Sequence, residues 1–154
     1  MKRNNNCDMI LINCEKKGVR LPVAPKIVNI NNNLTLTSDY TLTCEELLGG
    51  LINIISADNT HNLLLPNAED VVSFIVELHN INYKCDLDKK LFIGYSFELL
   101  LRNNTLDQIL VPPAGIQLIG YDGIETHYNY LIKFVITGVD SIDLYIISRL
   151  AGSV

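Results

Sequence analysis

The sequence predicts an all-β protein, a single antiparallel β-sandwich with one connecting helix and an extended basic N-terminal arm. Three observations lead there. Several short runs alternate apolar and polar residues with period two, among them "NLTLTS", "GYSFELLLRNN" and "HYNYLIKFVIT". Gly, Pro, Asn and Asp clusters punctuate them at the spacing of a sandwich or barrel. There is no alternation of strands with helices, so a parallel sheet is not expected.

The chain has 154 residues, the size of one domain, and hides roughly 70% of its unfolded surface on folding. At 48% apolar and 19% charged it has a globular composition. Charge divides it. Residues 1–26 hold Lys2, Arg3, Lys16, Lys17, Arg20 and Lys26 against Asp8 and Glu15, and the remainder is acidic enough to bring the total to −5. The domain organisation read from this is a basic extended arm, 1–33, and a β domain, 34–154. In the arm, "MKRNNN" is a polar tail. "RLPVAPK" is extended, because each proline disfavours helix in the residue before it. The run Met9–Ile12 is shorter than a signal-peptide core of about 7–15 residues, and no stretch approaches the roughly 18 apolar residues of a membrane span. The product is therefore expected to be made in the cytosol without a membrane span.

The elements follow in order. "NLTLTS" (33–38) is a strand. "TCEELLGG" (43–50) is one helical turn, in which Thr43 caps the Glu46 amide, Glu46 reaches back, and the glycines close it. "LINIIS" (51–56) is a strand, "DNTHN" (58–62) a turn, and "LLL" (63–65) a short strand ended by Pro66, which has no donor for a ladder. Asn67 caps a helix of about three turns, with Glu69 and Asp70 favoured in its first turn by the dipole. Val71, Val72, Ile75 and Val76 give the helical spacing. "NINYKCDLDKK" is a charged loop. "FIGYSFELLLRNN" places Tyr95, Phe97, Leu99 and Leu101 on one face and Glu98 and Arg102 on the other. "QILVPPAGIQLIG" is two strands broken at Pro112-Pro113. "YDG" turns, "HYNYLIKFVIT" aligns Tyr128, Tyr130, Ile132, Phe134 and Ile136, "GVDS" turns again, and "IDLYIIS" is the last strand.

Motifs for chemistry are thin. His61, His79 and His127 are dispersed and read as a turn, a helix end and a strand surface, and Cys7, Cys14, Cys44 and Cys85 form no C-x-x-C pair, so no metal site is expected and the thiols are expected free. Cys44 and Cys85 read as small buried hydrophobes. Ser56, Ser73, Ser96, Ser141 and Ser148 lie in no nucleophile elbow, and no phosphate-binding glycine loop occurs. Glu98 reads as a solvent-facing residue or a partner of Arg102. Tyr128, Tyr130 and Tyr145 suit either sugar stacking or a core or subunit interface, and alternation with Ile132 and Phe134 favours the second. No enzyme, catalytic residue or cofactor is expected.

Residues Thr41–Gly50, Leu63–Pro66, Gly94–Asn103 and Gly115–Gly120 together form an ordered series: a "TLTCEELLGG" entry, "LLLP" before a helix, "GYSFELLLRN", and "GIQLIG". Over residues 41–148 this series resembles a small jelly-roll domain of structural proteins of large DNA viruses and some tailed phages. The charged insert at 80–90 departs from that pattern. The resemblance implies a jelly-roll sandwich in a virion component, a minor capsid, cementing or fibre-head protein. It also implies a homo-oligomer, a trimer before a pentamer, that contacts neighbouring capsid proteins and is made in the host cytoplasm. The arm cations Lys2, Arg3, Lys16, Lys17, Arg20 and Lys26 are then an assembly anchor for an acidic neighbour or nucleic acid. The run "MILI" also suits addition to the edge of another sheet. A receptor- or glycan-binding head on the same fold is the alternative.

Overall fold

The computed structural model describes residues 32–83, 86–120, 123–124 and 128–151. The arm before Asn32, with all six of its cations, lies outside the described residues, as do Cys7, Cys14, Cys85, His127 and the "YD" of the 121–123 turn.

The described chain is mostly β. Ten strands run in order: β1 (Asn33–Leu36), β2 (Tyr40–Thr41), β3 (Leu51–Ala57), β4 (Asn62–Leu64), β5 (Ser96–Asn103), β6 (Gln108–Val111), β7 (Ile116–Ile119), β8 (Gly123–Ile124), β9 (Tyr128–Gly138) and β10 (Ser141–Ala151). Two α-helices interrupt them, α1 (Cys44–Leu48) after β2 and α2 (Ala68–Tyr83) after β4, and a 3₁₀ turn (Lys89–Phe92) leads into β5. The strands form a six-stranded sheet, β1-β3-β5-β9-β10-β7, and a four-stranded sheet, β2-β4-β6-β8.

The wholly antiparallel pairing expected from the sequence is not what forms. Both sheets are mixed. β1, β3 and β5 are parallel neighbours, as are β2, β4 and β6, and β7 is parallel to β10. The antiparallel pairs are β5–β9, β9–β10 and β6–β8. The physical reason lies in the connections. A parallel pair needs a long crossover, most often a helix lying on the sheet. Here each crossover runs through the other sheet: β1 turns into β2, which returns through α1 to β3; β3 turns into β4, which returns through α2 to β5. The result is three stacked rungs, β1–β2, β3–β4 and β5–β6. The long hairpin β9–β10 continues the six-stranded sheet beyond them.

Local chemistry sets the element boundaries. Thr43 caps α1 by accepting from the Glu46 amide at 3.1 Å, while the Glu46 carboxylate accepts from the Thr43 amide at 2.8 Å. Gly49 stays right-handed and Gly50 takes the left-handed turn at φ +82. The second helix is longer than expected, 16 residues through Tyr83, and takes in the first part of the segment read as a charged loop. It extends because His79 is not a helix-end residue: it is fully buried, with its ring edge-on to Phe92 at 5.0 Å and to Tyr95 at 6.2 Å.

One apolar cluster joins both sheets and both helices. It contains Leu36, Ile54, Leu101 and Phe134 from the large sheet, Leu63 and Leu110 from the small one, Leu47 from α1, and Val71, Val72 and Ile75 from α2. On the large sheet the alternation holds: Tyr130, Ile132, Phe134 and Ile136 are buried, as are Leu99 and Leu101. At the helix end of the molecule, Gly115 is indispensable. Its φ is +84, and a Cβ there would lie 2.5 Å from the Asp140 carbonyl oxygen and 2.9 Å from Ala68 Cβ. It lets the Pro112-Pro113 turn wedge between the β9–β10 hairpin tip and the start of α2.

Candidate functional site

In a parallel, in-register stack the same part of every rung falls at the same end. Three turns therefore superpose: 37–39 between β1 and β2, 58–61 between β3 and β4, and 104–107 between β5 and β6. Each is rich in groups that bond backbone, as expected of Asn, Asp, Ser and Thr in turns. The stack is stitched between rungs. Asp39 accepts from the Asn62 amide at 2.8 Å and from the Asn62 side chain at 2.9 Å. Gln108 accepts from the His61 amide at 2.8 Å and donates to Leu106 O at 2.7 Å. Asn103 donates to Leu106 O at 3.1 Å and accepts from the Thr105 amide at 3.2 Å, and Thr105 Oγ1 accepts from the Ala57 amide at 3.1 Å.

His61 stands at the centre. Its Nε2 contacts Asp58 Oδ1, and its Nδ1 lies 3.9 Å from Asp39 Oδ1. The imidazole is only 13% exposed, whereas Asp39 and Asp58 are open to solvent. The Asn62 amide, then the Asn62 side chain, hold the Asp39 carboxyl below its ordinary value. Asn103 and Gln108 are fully buried. The Asp39–Asn62, His61–Gln108 and Ala57–Thr105 bonds cross from one rung to the next, while Asn103 and Asp58 brace their own turns, so the stack works as a polar clasp between rungs.

The outward face of the large sheet is a second surface. Leu51, Leu100 and Leu131 are register neighbours on β3, β5 and β9 and form a half-buried apolar row. Ile119 on β7 and Ile147 on β10 are 41% and 49% exposed. A third feature is a cleft of ≈ 350 Å³ at the start of α2, lined by Asn67, Glu69, Asp70, Ala114, Gly115 and Asp140.

The residues singled out from sequence are scattered by the fold. His61 is in the clasp and His79 in the core. Glu98 and Arg102 are exposed on β5, and the register neighbour of Glu98 is Lys133 rather than Arg102. Tyr130 is core. Tyr145 faces the other way, half-buried on the outer face, with its hydroxyl donating to Asp143 at 3.2 Å, so the two rings share no face. Cys44 is half-buried, and burial pushes its thiol up, aided by Asp70 and Glu45. Among the described residues no group of three His, Cys, Asp or Glu side chains is placed to hold a metal ion, and no helix is long and apolar enough to cross a membrane. Sequence reasoning missed Asp39, Asn62, Asn103 and Gln108. A signal existed for two of them: Asn103 continues the inward phase of Leu99 and Leu101, and Gln108 shares the phase of Leu110. A polar residue in an apolar phase demands a buried partner.

Fold and site together define a class: a mostly β protein of two mixed sheets, with stacked parallel rungs clasped by polar turns. Comparison of the chain with protein-family models, with curated proteins and with solved structures finds no match.

Proposed function

We propose that the chain is a non-enzymatic structural subunit of a virus particle, a minor capsid or cementing protein that assembles with copies of itself. The observation that supports this reading is the outer face of the large sheet. The row Leu51–Leu100–Leu131 and the exposed Ile119 and Ile147 leave apolar surface on a broad, regular face. Such a face gains from symmetric association, which removes apolar area from water. Within this proposal the fold is a relative of the jelly roll in which stacked rungs replace part of the antiparallel order. Its two-sheet plan and the order of the sequence motifs support that relation. The arm cations Lys2, Arg3, Lys16, Lys17, Arg20 and Lys26 attach the oligomer to a neighbouring capsid protein or to nucleic acid, an attachment that weakens with salt.

Light scattering coupled to size exclusion tests the assembly. The full chain is expected to run as a discrete oligomer, a trimer before a pentamer. Leu131→Asp, which places a charge in the apolar row, is expected to give folded monomers. A full chain that is monomeric at every concentration would overturn the proposal.

A further inference from the structure

The outer face of the large sheet is complementary to itself. Residues two apart on a strand share a face. On β5, Leu100 lies midway between Glu98 and Arg102; on β9, Leu131 lies midway between Asn129 and Lys133. The two strands are antiparallel, and their register pairs Arg102 with Asn129, Leu100 with Leu131, and Glu98 with Lys133. The apolar row Leu51–Leu100–Leu131 is therefore flanked by Arg102–Asn129 on one side and Glu98–Lys133 on the other. We propose that a second copy of the chain docks on this face about a twofold axis lying along the leucine row.

The first argument is charge. Rotation about that axis lays each leucine over its own copy and exchanges the two flanking rows. Arg102 then meets the partner's Glu98, and the reverse pair forms at the same time. Glu98 and Arg102 are exposed, Lys133 is half-buried, and among the described residues none of the three forms an ion pair within the chain. Other placements fit worse. Moving the axis two residues along β5, onto Glu98 or Arg102, sets like charges over one another. An axis along the strands crowds the two Arg102 side chains into one row without a carboxylate. Like charges brought together in this way disfavour the wrong register. Sheets related by the proposed axis keep their strands nearly aligned, the common geometry for faces about 10 Å apart.

The second argument is a buried acceptor. Asn129 Oδ1 is buried and has no hydrogen-bond partner among the described residues. The same rotation sets the partner's Lys133, with its three donors, over Asn129. A buried acceptor without a donor destabilises the single chain, and the pair removes that penalty. The inference rests on the self-assembly reading and deepens it: copies join first in pairs through this face, and a larger closed oligomer is built from pairs.

Sedimentation of the full chain over a concentration series, with charge reversals on β5, tests it. Glu98→Arg and Arg102→Glu each place like charges over one another across the axis. Each single variant is expected to pair about tenfold or more weakly than the parent. A chain carrying both reversals is expected to regain the parent's pairing. So is an equimolar mixture of the two single variants, as one copy of each. Both positions are exposed, so circular dichroism is expected to show folded variants, and the doubly reversed chain serves where a single variant does not fold. Single variants that pair as tightly as the parent would overturn the proposal, as would folded single variants whose mixture regains nothing. In both cases the parent still assembles, and the self-assembly reading stands. A parent that is monomeric at every concentration defeats that reading and the twofold contact with it.

Discussion

The two sides of the six-stranded sheet are held together by different means. On the hairpin side, β9 and β10 are eleven residues each, are joined by the short Gly138–Ser141 turn, and pair along almost their whole length. Their contacts are local, so little chain entropy is lost in closing them. On the rung side, β1 has four residues and β3 seven, and neighbours such as Leu51 and Leu100 lie far apart in sequence. Backbone bonds there are few per strand and each closes a long loop. Side chains make up the difference. Asn53 donates to Asn33 at 2.9 Å, Ser56 to Thr35 at 3.3 Å, and the turn clasp ties each rung to the next. The comparison teaches that parallel rungs of this length depend on polar side-chain ladders that a long hairpin does not need.

The largest effect is expected where the two sides meet, at the β5–β9 seam. Phe134 is fully buried and stacks on Phe97 with ring centroids 4.8 Å apart. Phe134→Ala removes that ring and leaves a cavity beneath both sides, for an expected loss of about 3–5 kcal/mol. Urea unfolding followed by two probes, one on each side, is expected to show one shared transition at lower urea. Two separated transitions in the variant would mean that the sides are independent units.

A smaller effect, confined to one side, is expected from Gln108→Leu. The leucine fits an apolar core but leaves the His61 amide without its acceptor, a cost of about 1–3 kcal/mol for a buried unpaired donor. Hydrogen exchange is expected to quicken at residues 58–62 and 104–109 and to stay unchanged in β9–β10. Equal quickening on both sides would show that the clasp serves the whole sheet rather than the rungs.

The same contrast explains what the sequence revealed. Period-two alternation and turn chemistry are local, so the strands from Leu51, Ser96, Tyr128 and Ser141 were legible, as were the Thr43–Glu46 cap, the Pro66 stop and the "GVDS" hairpin. Partner choice is not local. Nothing in "NLTL" or "LINIIS" says that they lie side by side in parallel, because the decision is made by how β2, β4 and the helices return the chain. His79 was read as a helix end because its burial depends on Phe92 and Tyr95, which arrive from a later turn. The clasp was hidden for a related reason. Asp39 and Asn62 look like ordinary turn residues until stacking brings them to bonding distance.

The smallest expected effect tests whether the clasp is also where the rung side yields to acid. Asp39 has a carboxyl held below the ordinary value of 3.8, first by the Asn62 amide and then by the Asn62 side chain. A group whose pKa is lower folded than unfolded adds stability that is complete above the unfolded value and is lost as pH falls through the folded one. Its contribution is therefore constant at neutral pH and disappears below about 3.8. Asp39→Asn keeps one acceptor for the Asn62 amide but turns an amide toward the Asn62 side chain. The variant is expected to be slightly less stable at pH 7 and to converge with the parent chain as the medium is acidified. Urea midpoints measured from pH 7 to pH 2 give the comparison. The difference should narrow only below about pH 4. Exchange measured near pH 3 should show residues 37–39 and 58–62 of the parent opening before β9–β10. Parallel midpoint curves over the whole range would mean that the Asp39–Asn62 bonds orient the turn without stabilising the rungs, and acid would then have no preference between the two sides.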